Sequence, residues 1–290
     1  MLDPDQLAAL AAILRTGSFD RAAAALNVTP PAISQRIRAL EDRIGTALIV
    51  RGQPCTATPA GARLARHAED AALLEASALA DLGSNLTTAT VRITVNADSL
   101  ATWVLPALAA VPDLLFDMVI DDQDHSAALL RRGEVQAAVT SHPGPLQGCD
   151  TYALGALRYV ATASPAFAAR WFPDGVTRDA LARAPALRFN DKDRLQDDWA
   201  AGVAGERIAL PTHRIASSTA FVDAAYLGIG WGMNPEPLVR DHLRAGGLIA
   251  LAPDAPLDVP LHWQVARLTA KALKPLTTAI RRAAEAVLIA

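Results

Sequence analysis

Two groups of residues in this chain have types and spacings suited to chemistry. The first is basic. Arg36, Arg38, Arg43, Arg51, Arg63 and Arg66 lie between Thr29 and Arg66, opposed only by Glu41 and Asp42, a local surplus of +4. Gln and Arg side chains can pair with base edges, and arginines neutralise phosphates. The second group is acidic and hydroxyl-bearing: Asp98 and Ser99, Asp122, Thr140, Asn190 and Asp191, and Ser217 with Ser218. Carboxylates hold ammonium or guanidinium groups, and the free N–H groups of helix starts at Ser99 and Ser218 suit a ligand carboxylate. Amides for an anion and acids for cations describe an amino acid with a basic side chain. Each group also has a plainer reading, as a solvated helix face and as ordinary helix caps and loops.

The basic residues must be held by helices. Leu7, Leu10, Ala11 and Leu14 recur at helical spacing over Asp5 to Arg15, and Gly17 ends that run. Ser18 is an N-cap for a second helix, Phe19 to Leu26, in which Ala22 and Ala23 permit close packing. Asn27-Val28 makes a tight turn. Thr29 caps a third helix with Pro30 and Pro31 in its first turn, running to Ile44 and ended by Gly45. Its apolar stripe is Ile33, Ile37, Leu40 and Ile44, which leaves Ser34, Gln35, Arg36 and Arg38 outward. Leu48 to Arg51 and Thr56 to Thr58 read as a two-stranded wing. The pattern fits a helix-turn-helix, with a small three-helix packing unit as the alternative. From Pro59 to Leu82 a long helix follows, with Leu64, Ala71 and Ala78 every seven residues beside Ala68 and Leu82. That seam either pairs two helices or packs on its own domain. Gly83 to Thr88 reads as a hinge.

Beyond Thr90 the period changes. Strands at Val91–Val95, Met118–Ile120 and Val135–Thr140 alternate with helices starting at Asp98 or Ser99 and at Ser126. The pattern restarts at Ala186–Phe189 and continues through Ile215, a helix at Thr219–Leu227 and a strand at Ile229–Met233. This predicts two α/β lobes with largely parallel sheets, crossover strands near Leu157–Ala163 and Leu261–Ala266, and a last helix, Lys271–Leu288, returning to the first lobe. Ligands in open α/β sheets sit beyond the carboxyl ends of strands. By that rule Asn96 to Ser99, Asp121 and Asp122, Thr140 and Ser141 face a cleft from one lobe. Asn190, Asp191, Ser217 and Ser218 face it from the other.

The 290 residues suit about two domains. A net charge of -3 disfavours a chain that is nucleic-acid binding throughout, yet this total averages a basic stretch with an acid-bearing remainder. Cys55 and Cys149 are too few for a disulfide framework or a zinc cluster. The acidic start, Met-Leu-Asp-Pro-Asp-Gln, lacks the pattern of a secretory signal, and no run approaches the roughly 18 apolar residues of a membrane span. A cytoplasmic protein without membrane contact is expected. Gly228-Ile229-Gly230-Trp231-Gly232 has the wrong strand–helix order for a phosphate cradle, and Asp122-x-Asp124-His125 lacks the glycine and distant glutamate of a calcium loop. No nucleophile elbow or paired histidine motif appears, so no enzyme, metal or cofactor is expected.

Gly17-Ser18-Phe19, Ala22-Ala23, Leu26, Val28-Thr29, Pro31-Ala32-Ile33-Ser34, Ile37, Leu40-Glu41, Gly45, Leu48, Arg51, Thr58 and Gly61 resemble the winged helix-turn-helix of LysR-type transcriptional regulators. Ile49 departs from the phenylalanine usual there. Val95 to Trp103, Arg51 with Gln53-Pro54-Cys55, Phe172 to Arg178 and Ser217 to Phe221 resemble the ArgP/LysG branch of that family, which responds to basic amino acids.

The resemblance implies an all-α winged helix-turn-helix (1–58) and a linker or dimerisation helix with hinge (59–88). A two-lobed, periplasmic-binding-protein-like α/β effector domain follows (89–290), with lobe I at about 89–160 and 267–290 and lobe II at about 161–266. It implies promoter DNA as partner, a homodimer or homotetramer, contact with RNA polymerase, and lysine or arginine as effector, with control of a basic amino acid exporter gene. Expected DNA-binding residues are Ser18, Thr29, Pro31, Ala32, Ser34, Gln35, Arg36, Arg38 and Arg51. Expected effector residues are Ala97, Asp98, Ser99, Leu100, Trp103, Asp122, Thr140, Asn190, Asp191, Ser217, Ser218 and Phe221. The alternatives are another small effector, or a DNA-architectural factor that needs no ligand.

Overall fold

A computed structural model describes residues 2–83, 89–120, 123–141 and 144–290, of 123–126 the backbone alone. The chain divides into two compact units, one of residues 1–92 with 113–117 and 268–272, the other of 93–112, 118–267 and 273–290.

In the first unit the helix boundaries follow local chemistry. Asp3 accepts from the N–H groups of Asp5 (2.8 Å) and Gln6 (3.3 Å) and starts α1, Pro4–Thr16. Gly17 closes it at φ +68°, a conformation that costs glycine little. The Ser18 hydroxyl accepts from Arg21 N–H and starts α2, Phe19–Ala25. Asn27, at φ +52°, makes the turn into α3, Pro30–Ile44, which Gly45 ends at φ +78°. Thr29 occupies the N-cap position but makes no side-chain cap bond, contrary to expectation. Pro31, at the second helical position, removes one of the two N–H groups such a cap would serve.

Leu10, Ile13, Ile33, Ile37, Leu40 and Leu48 form the buried core of these helices, while Ile44, expected in the stripe, is 39% exposed at the last position of α3. The wing is β1, Ile49–Val50, antiparallel to β2, Thr56–Ala57. Glu41 ties it to α3 by accepting from Leu48 N–H at 2.8 Å.

Thr58 then caps α4, Pro59–Asp81, accepting from Gly61 N–H at 3.1 Å. Gly61 is required: a Cβ there would lie 1.9 Å from the Leu48 carbonyl oxygen. The expected seam divides along α4. Leu64 and Ala68 pack on the winged-helix core, whereas Ala71, Ala78 and Leu82 are exposed. The hinge expected at Gly83 to Thr88 lies outside the described residues after Gly83.

The second half is built on a seven-stranded sheet in the order β10-β6-β11-β5-β3-β4, with β9 also paired to β6. Its strands are β3 (Ala89–Val95), β4 (Leu114–Ile120), β5 (Ala137–Thr140), β6 (Cys149–Ala163), β9 (Gly232–Pro235), β10 (Ile249–Ala250) and β11 (Leu257–Ala266). β3 and β5 are parallel, but β6 and β11 are antiparallel to each other and to their other neighbours. The sheet is therefore mixed, not largely parallel, because the crossover strands run back between the lobes. A small parallel pair, β7 (Ala186–Arg188) and β8 (Thr212–Arg214), belongs to the second lobe; Ile215 lies just past it.

Asn96, not Asp98 or Ser99, caps the helical segment after β3, accepting from Ser99 N–H at 3.3 Å. That segment passes from α5 (Ala97–Ser99) through a π-helical turn at Leu100–Val104 to α6 (Leu105–Ala109). Gln123–Arg131 forms α7. In the second lobe α8 is Pro165–Trp171, α9 Arg178–Leu181 and α10 Leu195–Ala204; α11, Ser218–Tyr226, starts at the cap Ser217 and is followed by α12, Glu236–Arg244. After α13 (Arg267–Ala270), the last helix, α14 (Lys274–Glu285), packs against α6. Among the described residues no helix is long and apolar enough to cross a membrane.

Candidate functional sites

The first site is the outer face of α3. Burial of Ile33, Ile37 and Leu40 turns Gln35 and Arg38 to solvent and leaves Ser34 and Ala32 half-buried, while Pro31 and Thr29 are exposed at the start of the helix. Two expected contacts have intramolecular engagements. The Arg36 guanidinium is paired with Asp5 of α1 at 2.7 Å, and the Arg51 guanidinium lies 5.3 Å from the centre of the Phe19 ring. The Ser18 hydroxyl is occupied as the cap of α2. The basic wing residue is thus stacked on the turn between the first two helices.

The second site is a cavity of about 820 Å³. Asn96, Ala97, Asp98, Ile120 and Ser141 contribute from the ends of β3, β4 and β5; Phe189, Asn190, Ser218 and Phe221 from the second lobe; and Tyr159, Asn234 and Asp258 from or beside the crossovers. The Asp98 carboxylate is central. One oxygen accepts from the Ser218 hydroxyl at 2.6 Å, the other from the Tyr159 hydroxyl at 2.9 Å. Burial pushes the Asp98 carboxyl above its ordinary range, and those two hydrogen bonds pull it part of the way back. Burial, with the neighbouring Asp98 charge, raises the Tyr159 phenol well above its usual range, so it stays a neutral donor.

Asp193 also lines the cavity. Asn190 Oδ1 accepts from the N–H groups of Lys192 (2.8 Å) and Asp193 (3.1 Å), turning the chain so that Asp193 accepts from Phe189 and Leu195. Burial raises the Asp193 carboxyl, the two N–H donors lower it, and the charge of Asp98 raises it further. The cavity lining carries Asp98, Asp193, Asp198 and Asp258 against Lys192 and Arg194, a formal balance of -2. Asp258 is held by Arg158 at 2.7 Å.

Of the expected effector residues, Ala97, Asp98, Asn190, Ser218 and Phe221 meet at this cavity. Leu100, Trp103, Thr140 and Ser99 are not in its lining: Trp103, Thr140 and Ser99 are buried in the first lobe, and the Ser99 hydroxyl has no partner among the described residues. Asp191 instead points to solvent and pairs with Arg214 at 2.7 Å. Ser217 serves as the α11 cap and faces Thr219. Asp122 lies outside the described residues.

Sequence reasoning missed Tyr159, Asp193, Asn234 and Asp258. A signal existed for one of them: Tyr159 places a polar tip in a strand whose inward positions, such as Leu157 and Ala161, are otherwise apolar. Among the described residues no cluster of His, Cys, Asp and Glu is arranged to hold a metal ion.

Residues 4–62 match the bacterial regulatory helix-turn-helix protein, lysR family, and residues 84–288 match the LysR substrate binding domain. The HTH-type transcriptional regulator LysG of Mycobacterium tuberculosis is 46% identical over 285 residues, 98% of this chain and 94% of that protein. The crystal structure of ArgP from Mycobacterium tuberculosis is similar at a TM-score of 0.82 and 44% identity, over 100% of this chain and 99% of that one.

The lysine export transcriptional regulatory protein LysG of Corynebacterium glutamicum is 37% identical over 291 residues, 98% of each chain. Its full-length structure with bound effector arginine gives a TM-score of 0.68 at 36% identity, covering 99% of this chain and all of that one. With both halves matched in this order, the chain belongs to the LysR family of transcriptional regulators, oligomeric proteins that bind DNA through the helix-turn-helix and are not enzymes.

Proposed function

We propose that this chain is a LysR-type regulator that senses a basic amino acid, arginine or lysine, and controls a gene for its export. The acid-lined cavity centred on Asp98 carries the reading. Its lining is formally -2, and the Asp98 carboxylate is held by neutral hydroxyls rather than by a protein cation, so its remaining lone pairs suit a ligand ammonium or guanidinium. The start of α11 at Ser218 supplies N–H groups for the ligand's carboxylate. The arginine bound to the corynebacterial relative, and that relative's role in lysine export, support the same effector class.

The working partners are promoter DNA, read through Gln35, Arg38 and Ser34 on α3, and further copies of the chain in a dimer or tetramer, with RNA polymerase at the promoter. The apolar positions left exposed on α4, Ala71, Ala78 and Leu82, support pairing of that helix. Effector shifts the balance between arrangements only through unequal affinity for them. Calorimetric titration of the purified chain with the amino acids tests the reading. Heat is expected with arginine or lysine and none with acidic or apolar amino acids; the reverse pattern overturns it.

A further inference from the structure

We propose that Tyr159 and Ser218 are positioning residues that let the cleft exchange a proton for its cationic effector: held between two hydroxyls, Asp98 can stand as acid or as anion, and a bound cation drives it to the anion with release of a proton to solvent. This rests on the proposed placement of the effector's cation at Asp98.

The argument starts from the partners. Among the described residues, no base is paired with Asp98; its two oxygens meet two hydroxyls, at 2.6 Å and 2.9 Å. A hydroxyl can donate to a carboxylate or accept from a carboxylic acid, by rotation about its C–O bond, whereas an arginine or lysine can only donate. The Asp98–Ser218 contact therefore survives as a hydrogen bond in either protonation state, with the donor and acceptor exchanged. A site built this way tolerates both the neutral and the charged acid without a stranded polar group.

The surroundings set the direction. Tyr159 approaches from β6, Ser218 from α11, and Asp193 from the loop before α10; Asp193 is itself an acid whose charge opposes a second negative charge beside it. Asp198, Asp258, Lys192 and Arg194 line the same cavity. Burial favours the neutral acid and the hydroxyl bonds favour the anion, with burial the stronger. A guanidinium or ammonium arriving at Asp98 reverses that balance. The exchange is an uncharged carboxylic acid plus a cation giving an ion pair plus one proton in solvent.

The test is calorimetry of arginine binding to the full chain, in buffers of different ionisation enthalpy, between about pH 5 and about pH 7, where arginine itself does not titrate. The expected result is release of up to one proton per arginine, rising as pH falls, with affinity weakening by as much as tenfold per pH unit. Tyr159→Phe and, independently, Ser218→Ala each remove a donor to the anion, so the bend in affinity against pH moves to higher pH in both. A purely structural role would change affinity without moving the bend.

Asp98→Asn separates the two claims. Loss of binding in Asp98→Asn, with no proton release and a flat pH profile in the unmodified chain, overturns proton exchange while keeping the effector site. Unchanged arginine affinity in Asp98→Asn overturns the site and the exchange together.

Discussion

The winged helix and the effector cavity differ in how their parts are brought together. In the winged helix, neighbours in space are neighbours in sequence: Asp3 caps α1, Ser18 caps α2, Gly17 and Gly45 end helices, and Ile33, Ile37 and Leu40 form one stripe of one helix. In the cavity, the hydrogen bonds at Asp98 join residues 61 and 120 positions apart. Local chemistry therefore builds the proposed DNA-reading face, whereas the proposed ligand site exists only once the lobes and crossovers are assembled. Substitutions should accordingly act locally in the first and through shared charge in the second.

The strongest way to break that contrast is a core truncation. Ile33→Ala removes a fully buried side chain from beneath the α3 face and should cost about 2–5 kcal/mol in the winged helix. Promoter binding should collapse while arginine affinity holds, as read by calorimetry and a DNA-shift assay on the same preparation. A parallel loss of arginine affinity would show that the two regions fold as one. A smaller effect is expected from Gln35→Ala, which removes an exposed side chain from α3. Promoter affinity should fall by about 1–3 kcal/mol if that residue reads a base edge, with melting temperature unchanged. An equal loss on unrelated DNA would mean that it serves the backbone instead.

Asp98→Asn probes the cavity through stability. A carboxyl raised by burial binds more protons folded than unfolded, so stability falls as pH rises from the ordinary carboxylate range through the folded value, and the penalty is complete above it. Asparagine keeps the shape and carries no charge to desolvate. Without effector, the variant should melt higher than the parent at neutral pH, and the difference should shrink as pH falls through the ordinary carboxylate range and vanish below it. A variant less stable at neutral pH would mean that the hydroxyl bonds outweigh burial.

The same contrast explains what was legible in the sequence. Caps, terminating glycines, the Ile33–Leu40 stripe and the wing follow from residues within one or two turns of each other, and the structure has them within a residue or two. The departures there are also local: Thr29 makes no side-chain cap bond to a helix whose second residue is Pro31, and Ile44 sits where α3 ends. The alternation of strands and helices was equally readable, but the antiparallel course of β6 and β11 depends on how lobes connect, which period does not encode. For the cavity, the rule of carboxyl strand ends located Asp98, Asn190 and Ser218. It misjudged Asp191, because an Asx turn at Asn190 sends the next carboxylate to Arg214 and brings Asp193 inward. Tyr159, mid-strand, lay outside that rule altogether.

The smallest expected effect bears on a place where the proposed DNA-reading face departs from a simple outward row. Arg36 is 28% exposed and paired with Asp5, which is 71% exposed. A partner this open to solvent contributes about 0.2–1 kcal/mol at most, so Asp5→Asn should leave melting nearly unchanged. Its consequence for DNA is more informative than its consequence for stability. If the ion pair holds Arg36 away from the phosphates, breaking it frees a cation, and promoter affinity should rise modestly and acquire a steeper salt dependence. If Arg36 instead reaches DNA while still braced by Asp5, the same change should weaken binding, because the brace that orients the guanidinium is gone. Measuring affinity across salt concentrations for Asp5→Asn and Arg36→Ala distinguishes these cases. Equal affinities and slopes in both variants and the parent would remove Arg36 from the DNA-reading face, leaving it the task of joining α3 to α1.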